Sequence, residues 1–153
     1  MRLKGKVAVV TGAGQGMGRT IARRFCAEGA TVVAIDLNLA AANETLAGLE
    51  GYAASVDIAD SAAVDAAFAE AVSRLGRVDI LVNNAGMGSV DAFADIPDTT
   101  WARVIGVNLT GAFYCARAAV RTTCSRSTGY AWRRSSERPS SLKLMSSILR
   151  LSA

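Results

Sequence analysis

The segment Thr11-Gly12-Ala13-Gly14-Gln15-Gly16-Met17-Gly18 holds four glycines in eight residues and follows directly on the apolar run Val7-Ala8-Val9-Val10. A glycine-rich turn between a strand and a helix lets backbone amides and the positive helix end meet a pyrophosphate with no side chain in the way. Asp36 stands 18 residues after Gly18, at the end of the next apolar run. A carboxylate there can accept hydrogen bonds from both hydroxyls of an adenosine ribose. Taken singly, the turn is also an ordinary turn and the acid an ordinary solvated strand end. Loop, context and acid spacing agree, and together they point to an adenosine-containing ligand.

The elements that must position these residues alternate between strand and helix. Val7–Val10 reads as a strand, and Met17–Glu28 follows as a helix with Ile21, Ala22, Phe25 and Cys26 at helical spacing, closed by Gly29. Thr31–Ile35 is a second strand ending in Asp36, Leu39–Leu49 a helix, and Tyr52–Val56 a third strand ending in Asp57. Asp60 can cap a helix whose Val64, Phe68, Ala71, Val72 and Leu75 share a face before Gly76. Val78–Val82 is a fourth strand, apolar on both faces except Asp79, and a last helix spans about Asp98 to Ala119 after Pro97. This alternation implies an α/β, doubly wound parallel sheet of the Rossmann kind, with strand order 3-2-1-4 in this half.

Composition narrows the class. The chain has 153 residues, 51% of them apolar and 20% charged, the balance of a globular protein. After the basic Met1–Lys6 the apolar run is too short for a signal segment or membrane span, so the expected location is the cytoplasm. With no histidine and three cysteines lacking Cys-x-x-Cys spacing, the common zinc patterns are absent, no metal is expected, and Cys26 and Cys115 read as buried free thiols. Residues 1–120 carry 10 of the 17 basic and 12 of the 13 acidic residues, so the basic excess belongs to 121–153. That stretch also holds nine serines and one glycine. Its basic residues lack interleaved aromatics beyond Tyr130 and Trp132, which argues against nucleic acid as a partner.

A methyltransferase also sets a glycine loop and a strand-end acid around an adenosyl group, and the glycine spacing separates the two. The chain resembles the short-chain dehydrogenase/reductase family, whose Thr-Gly-x-x-x-Gly-x-Gly loop is matched at Thr11, Gly12, Gly16 and Gly18. Asn83-Asn84-Ala85-Gly86 after the fourth strand, Val107-Asn108-Leu109-Thr110-Gly111 in the following helix, and Asp57-Ile58 match further family segments, over about residues 4–120. The resemblance implies hydride exchange between a nicotinamide cofactor and a secondary alcohol or ketone. It implies that Gly12, Gln15, Gly16, Met17 and Gly18 line the pyrophosphate and adenosine ribose, and that Asp36 holds that ribose. Asp57 and Ile58 would frame the adenine, and Asn84, Ala85 and Gly86 would pass beside the cofactor, Asn84 also tying neighbouring strands. Asn108 would be the first member of the family's Asn-Ser-Tyr-Lys set, bending its helix and holding a proton-relay water. Intact relatives use this helix in a homo-oligomer interface, which would leave Phe113 and Tyr114 exposed here. NAD rather than NADP is expected, because Asp36 repels a 2′-phosphate and neither Gln15 nor Leu37 supplies a basic partner.

The same resemblance sets a catalytic requirement: a tyrosinate base whose pKa is lowered by a lysine four residues on. No Tyr-x-x-x-Lys occurs in these 153 residues; Tyr130 is followed at that spacing by Arg134. Ser135-Ser136 has about the family serine's separation from Asn108, and Ser146-Ser147-Ile148 its local look, but in a nine-serine stretch either match is expected by chance. The simultaneous loss of pattern predicts that 1–120 form the dinucleotide-binding unit and that 121–153 are not family sequence, as a frameshift would produce. An inactive, truncated family member follows, or else a nucleotide-binding module without catalysis. Without a next strand, the apolar edge Ile80-Leu81-Val82 would be open to other chains.

Overall fold

The computed structural model describes residues 1–124 and 145–146. In chain order the elements are β1 (Val7–Thr11), α1 (Gly16–Ala27), β2 (Thr31–Asp36), α2 (Leu39–Thr45), β3 (Gly51–Ser55), α3 (Ser61–Leu75) and β4 (Ile80–Asn83). Then come a short 3-10 turn (Phe93–Asp95), α4 (Asp98–Ile105), a π-helical segment (Gly106–Gly111), α5 (Ala112–Cys124) and the two-residue β5 (Met145–Ser146). The sheet order is β3-β2-β1-β4-β5, and every pairing is parallel.

Strand alternation sorts the core into two layers. Val9, Val33, Ile35 and Leu81 pack with Phe68, Ala71 and Cys115 on the α3/α5 face. Ala8, Val10, Val32, Ala34 and Val82 pack with Ala22, Ala42 and Leu46 on the α1/α2 face. Because successive side chains of a strand point to opposite faces, strands covered on both sides are apolar throughout, which is why β1 is buried at all five positions. Asp79, the one polar break in the run before β4, accepts the Val7 amide at 2.9 Å and sits beside Lys6 and Arg77. It thereby satisfies the first free donor of β1.

Local signals set most element ends. Asp60 caps α3 by accepting from the Ala62 and Ala63 amides, and Gly76 closes it in the left-handed conformation. The helix expected over Leu39–Leu49 stops at Thr45, since Leu46 leaves helical geometry and Gly48 takes φ +73°. The last helix runs on to Cys124 rather than ending near Ala119. The edge expected to be open is covered in part: Val82 pairs with Met145 and Asn83 with Ser146. Tyr130, Arg134, Ser135, Ser136, Ser147 and Ile148 lie outside the described residues. Cys115 is buried, and burial pushes its thiol up to about 12; Cys26 is only partly buried, against the expectation. Phe113 is 56% exposed, whereas Tyr114 packs partly into the core. No helix among the described residues is long and apolar enough to cross a membrane.

Candidate functional site

A cleft of about 390 Å³ opens at the carboxyl ends of β1, β2 and β4, where doubly wound sheets bind ligands. Gly12, Gln15, Gly16, Met17, Asp36, Asp57, Ile58, Asn84, Ala85 and Gly86 all line it. Of the cofactor residues named from sequence, Gly18 alone stays outside the lining. It is buried beneath the loop, where a Cβ would collide with the Gly12 carbonyl and lie 2.6 Å from Asn84 Nδ2.

The loop is tied to β4 through Thr11 and Asn84. The buried Thr11 hydroxyl donates to the Val82 carbonyl and accepts from the Asn84 and Ala85 amides, at 3.1 and 3.0 Å. The Asn84 amide group donates to the Thr11 and Gly12 carbonyls. These bonds fix the two chain exits against each other, so the cleft floor is formed by backbone. Gln15 precedes α1 in extended conformation and no side chain caps the helix, whose first turn carries no acid. Gly16 has φ +51° and nothing within 4 Å of where a Cβ would stand. The amino end of α1 therefore faces open space with its partial positive charge uncancelled, a fit for a pyrophosphate.

Asp36 closes the next part of the cleft. Its Oδ2 accepts the Gly14 amide at 2.8 Å and its Oδ1 the Asn38 amide at 3.0 Å. Each carboxylate oxygen keeps a further lone pair for a ribose hydroxyl. Farther along, Asp57 Oδ1 accepts the Ala59 amide at 2.9 Å and its Oδ2 lies 2.9 Å from Arg103 Nη2. Partial burial alone would raise the Asp57 carboxyl, but the Ala59 amide and the Arg103 guanidinium outweigh it and hold the group below its ordinary value. Arg103 and Met87 also line the cleft and were not singled out from sequence. Arg103 carries no motif signal, since only the packing of α4 brings it to Asp57.

Asn108 sits in the π-helical segment between α4 and α5, so its helix is locally widened and underwound. Its side chain does not line the cleft. Oδ1 accepts the Met87 amide at 2.9 Å and Nδ2 donates to the Met87 carbonyl at 2.8 Å, a two-way hold on the backbone just after Gly86. The segment lies close to Ile58 because Gly111 has no Cβ, which would otherwise stand 2.8 Å from Ile58 Cγ1.

A family model described as short chain dehydrogenase matches residues 6–136, past the point to which the motifs alone carried the resemblance. The meso-2,3-butanediol dehydrogenase of Serratia marcescens is 39% identical over 123 residues, 78% of this chain and 49% of that protein. The 2-dehydro-3-deoxy-L-rhamnonate dehydrogenase (NAD(+)) of a Sphingomonas strain is 40% identical over 121 residues, 78% of this chain and 49% of its own length. Among solved structures, the 3-ketoacyl-(acyl-carrier-protein) reductase of Brucella melitensis, complexed with NADH, is 39% identical with a TM-score of 0.75, covering 78% of this chain and 50% of that one. The chain thus spans about half the length of the relatives it matches. With the family pattern, the parallel sheet and the glycine-loop cleft all in agreement, the chain belongs to the short-chain dehydrogenase family.

Proposed function

We propose that the cleft binds NAD in preference to NADP, and that residues 1–120 form an oxidoreductase's dinucleotide-binding unit. The observation that carries this reading is the convergence of loop, Asp36, Asp57-Ile58 and Asn84-Ala85-Gly86 on one cleft. Gly12, Gln15, Gly16 and Met17 would hold the pyrophosphate at the amino end of α1, and Asp36 the adenosine ribose. Asp57 and Ile58 would frame the adenine, and Ala85 and Gly86 the path toward the nicotinamide. The bound nicotinamide supplies the hydride acceptor or donor for a secondary alcohol or ketone. The NADH held by the Brucella relative and the NAD(+) in the Sphingomonas relative's name support the cofactor class. Leu109 and Phe113, both exposed on the Asn108 helix, support homo-oligomeric association through that face.

Selectivity follows from charge. Two like unit charges about 4 Å apart cost ~1 kcal/mol in water and ~4 kcal/mol at the effective dielectric near a protein surface. The carboxylate of Asp36 beside a 2′-phosphate would therefore favour NADH about tenfold or more. Titration calorimetry with NADH and NADPH tests this; NADPH binding as tightly as NADH would sink it, and Asp36→Ala is expected to narrow the difference.

Turnover is a separate matter. These 153 residues contain no Tyr-x-x-x-Lys, so no general base stands at the family's spacing. Asn108 holds the Met87 backbone with one bond at each end of its amide, a support for the cleft that leaves one Nδ2 hydrogen and one Oδ1 lone pair for a water. The reading is accordingly a nucleotide-binding chain without dehydrogenase turnover by itself. Purified protein given NAD with a panel of secondary alcohols should show no rise in reduced-nicotinamide absorbance, and a rise would overturn that part.

A further inference from the structure

Gly14 and Arg19 fall at no position of the loop motif, yet Gly14 touches Asp36, the residue expected to choose the cofactor, and Arg19 holds Gly14. Gly14 is gripped through the peptide units on both sides of its α-carbon. Its N–H donates to Asp36 Oδ2 at 2.8 Å, and its carbonyl accepts from Arg19 Nε at 3.0 Å and Nη2 at 2.5 Å. Arg19 is itself anchored from α2: Nε lies 3.2 Å from Thr45 Oγ1 and Nη2 3.4 Å from Glu44 Oε2. The buried Thr45 hydroxyl also reaches the Ala13 carbonyl at 2.8 Å.

We infer that Arg19 and Gly14 form a positioning clamp that aims the Asp36 carboxylate at the adenosine ribose, so that cofactor choice is a property of three residues rather than one. The inference rests on the reading that the cleft takes a nicotinamide dinucleotide. The Gly14 N–H lies in the Ala13–Gly14 peptide unit, whose carbonyl is held by the Thr45 hydroxyl that Arg19 Nε in turn contacts. The Gly14 carbonyl lies in the next unit and is held by Arg19 directly. The bonds to Asp36 and from Arg19 are charge-assisted, and such bonds are the stronger ones. With the peptide units on both sides of its α-carbon held, the backbone torsions of Gly14 are fixed, and with them the direction of its N–H. Glycine is required by space as well: a Cβ on residue 14 would stand 2.8 Å from Asp36 Oδ2, 2.9 Å from its Cγ and 3.1 Å from Ala41 Cβ. Any side chain there displaces the carboxylate. Without Arg19, the Gly14 carbonyl loses its partner and the Thr45 hydroxyl that holds the Ala13 carbonyl loses its anchor, so the torsions at Gly14 loosen and its N–H no longer fixes Oδ2. NADH then loses an aimed pair of ribose contacts, whereas NADPH, repelled by the same carboxylate, loses less.

The test uses the full chain with Arg19→Met, Arg19→Lys and Gly14→Ala. NADH and NADPH are titrated against each, and amide hydrogen exchange at Gly14 is followed by NMR without nucleotide in the wild type and the Arg19 variants. Arg19→Met should weaken NADH about tenfold, the size of one charge-assisted bond, while NADPH changes less, so the preference narrows. Gly14 exchange should accelerate at least about tenfold, since the amide opens more often. Arg19→Lys should recover part of both effects, and Gly14→Ala should narrow the preference with Arg19 intact. Equal weakening of both nucleotides overturns the inference, because loosening the loop alone would do that. Should the wild type bind neither nucleotide, the cofactor reading falls; Gly14 exchange in Arg19→Met still decides the clamp, acceleration upholding it and an unchanged rate overturning it.

Discussion

Replacing Gly18 with alanine would put a methyl carbon inside contact distance of the Gly12 carbonyl oxygen, 2.7 Å from its carbon and 2.6 Å from Asn84 Nδ2. Two of these are backbone atoms, and Asn84 Nδ2 is held by its bonds to the Thr11 and Gly12 carbonyls, so the loop has to move. Forcing one methyl group into a packed site costs about 1–3 kcal/mol. The move also endangers the two bonds from Asn84 Nδ2 to the Thr11 and Gly12 carbonyls, each contributing about 0.5–1.5 kcal/mol. A total loss of about 3 kcal/mol, divided by a urea m-value of about 2 kcal/mol/M, lowers the unfolding midpoint by roughly 1.5 M. Gly16→Ala is the counterpart. No atom lies within 4 Å of its new Cβ, so the cost is left-handed backbone strain of about 1–2 kcal/mol, or less than about 1 M in midpoint. That methyl group instead projects into the space before α1, so NADH binding should fall about tenfold or more. Urea titrations followed by circular dichroism, with NADH titrations beside them, check both. The reasoning is refuted if Gly18→Ala unfolds within about 0.3 M of wild type, or if Gly16→Ala costs more stability than Gly18→Ala.

Other perturbations have equally definite outcomes. Thr11→Val keeps the shape but strips the buried hydroxyl that serves the Asn84 and Ala85 amides and the Val82 carbonyl; a loss of about 2–3 kcal/mol in urea unfolding is expected, with Thr11→Ser close to wild type. Arg103→Leu removes the cation beside Asp57, whose carboxyl is depressed in the folded chain, so the pair's contribution is present above the unfolded carboxyl value and lost as pH falls through the folded one. The variant should therefore be less stable than wild type at neutral pH, by under about 1 kcal/mol for a partly exposed pair, and indistinguishable from it in acid; an acid-side gap as large as the neutral one would contradict this. Iodoacetamide at pH 8 should leave Cys115 unmodified in native protein by mass spectrometry, since its thiol is buried and raised to about 12, and should modify it only after unfolding.

Four strands, the helices between them and the glycine loop were legible in the residue order because their causes are local. The Val-rich runs alternate faces, Asp60 caps the turn that follows it, Gly76 takes the backbone that ends its helix, and glycines before α1 leave amides bare. Asp36 could be placed at the cleft because the end of β2 is itself a local feature. The rest was decided by contacts between segments distant in sequence. Thr11 meets Asn84 across 73 residues, Gly14 meets Asp36 across 22, and Asn108 reaches back 21 to Met87. Arg103 faces Asp57 only once α4 has packed beside the sheet, and Met145–Ser146 stands against β4 where the sequence reading left an open edge. A residue's type and spacing determine which conformations its own backbone favours and which face is apolar. Which polar atoms then meet depends on the register of parallel strands and the seating of helices on them, and these are set by burial of the whole core rather than by any one segment.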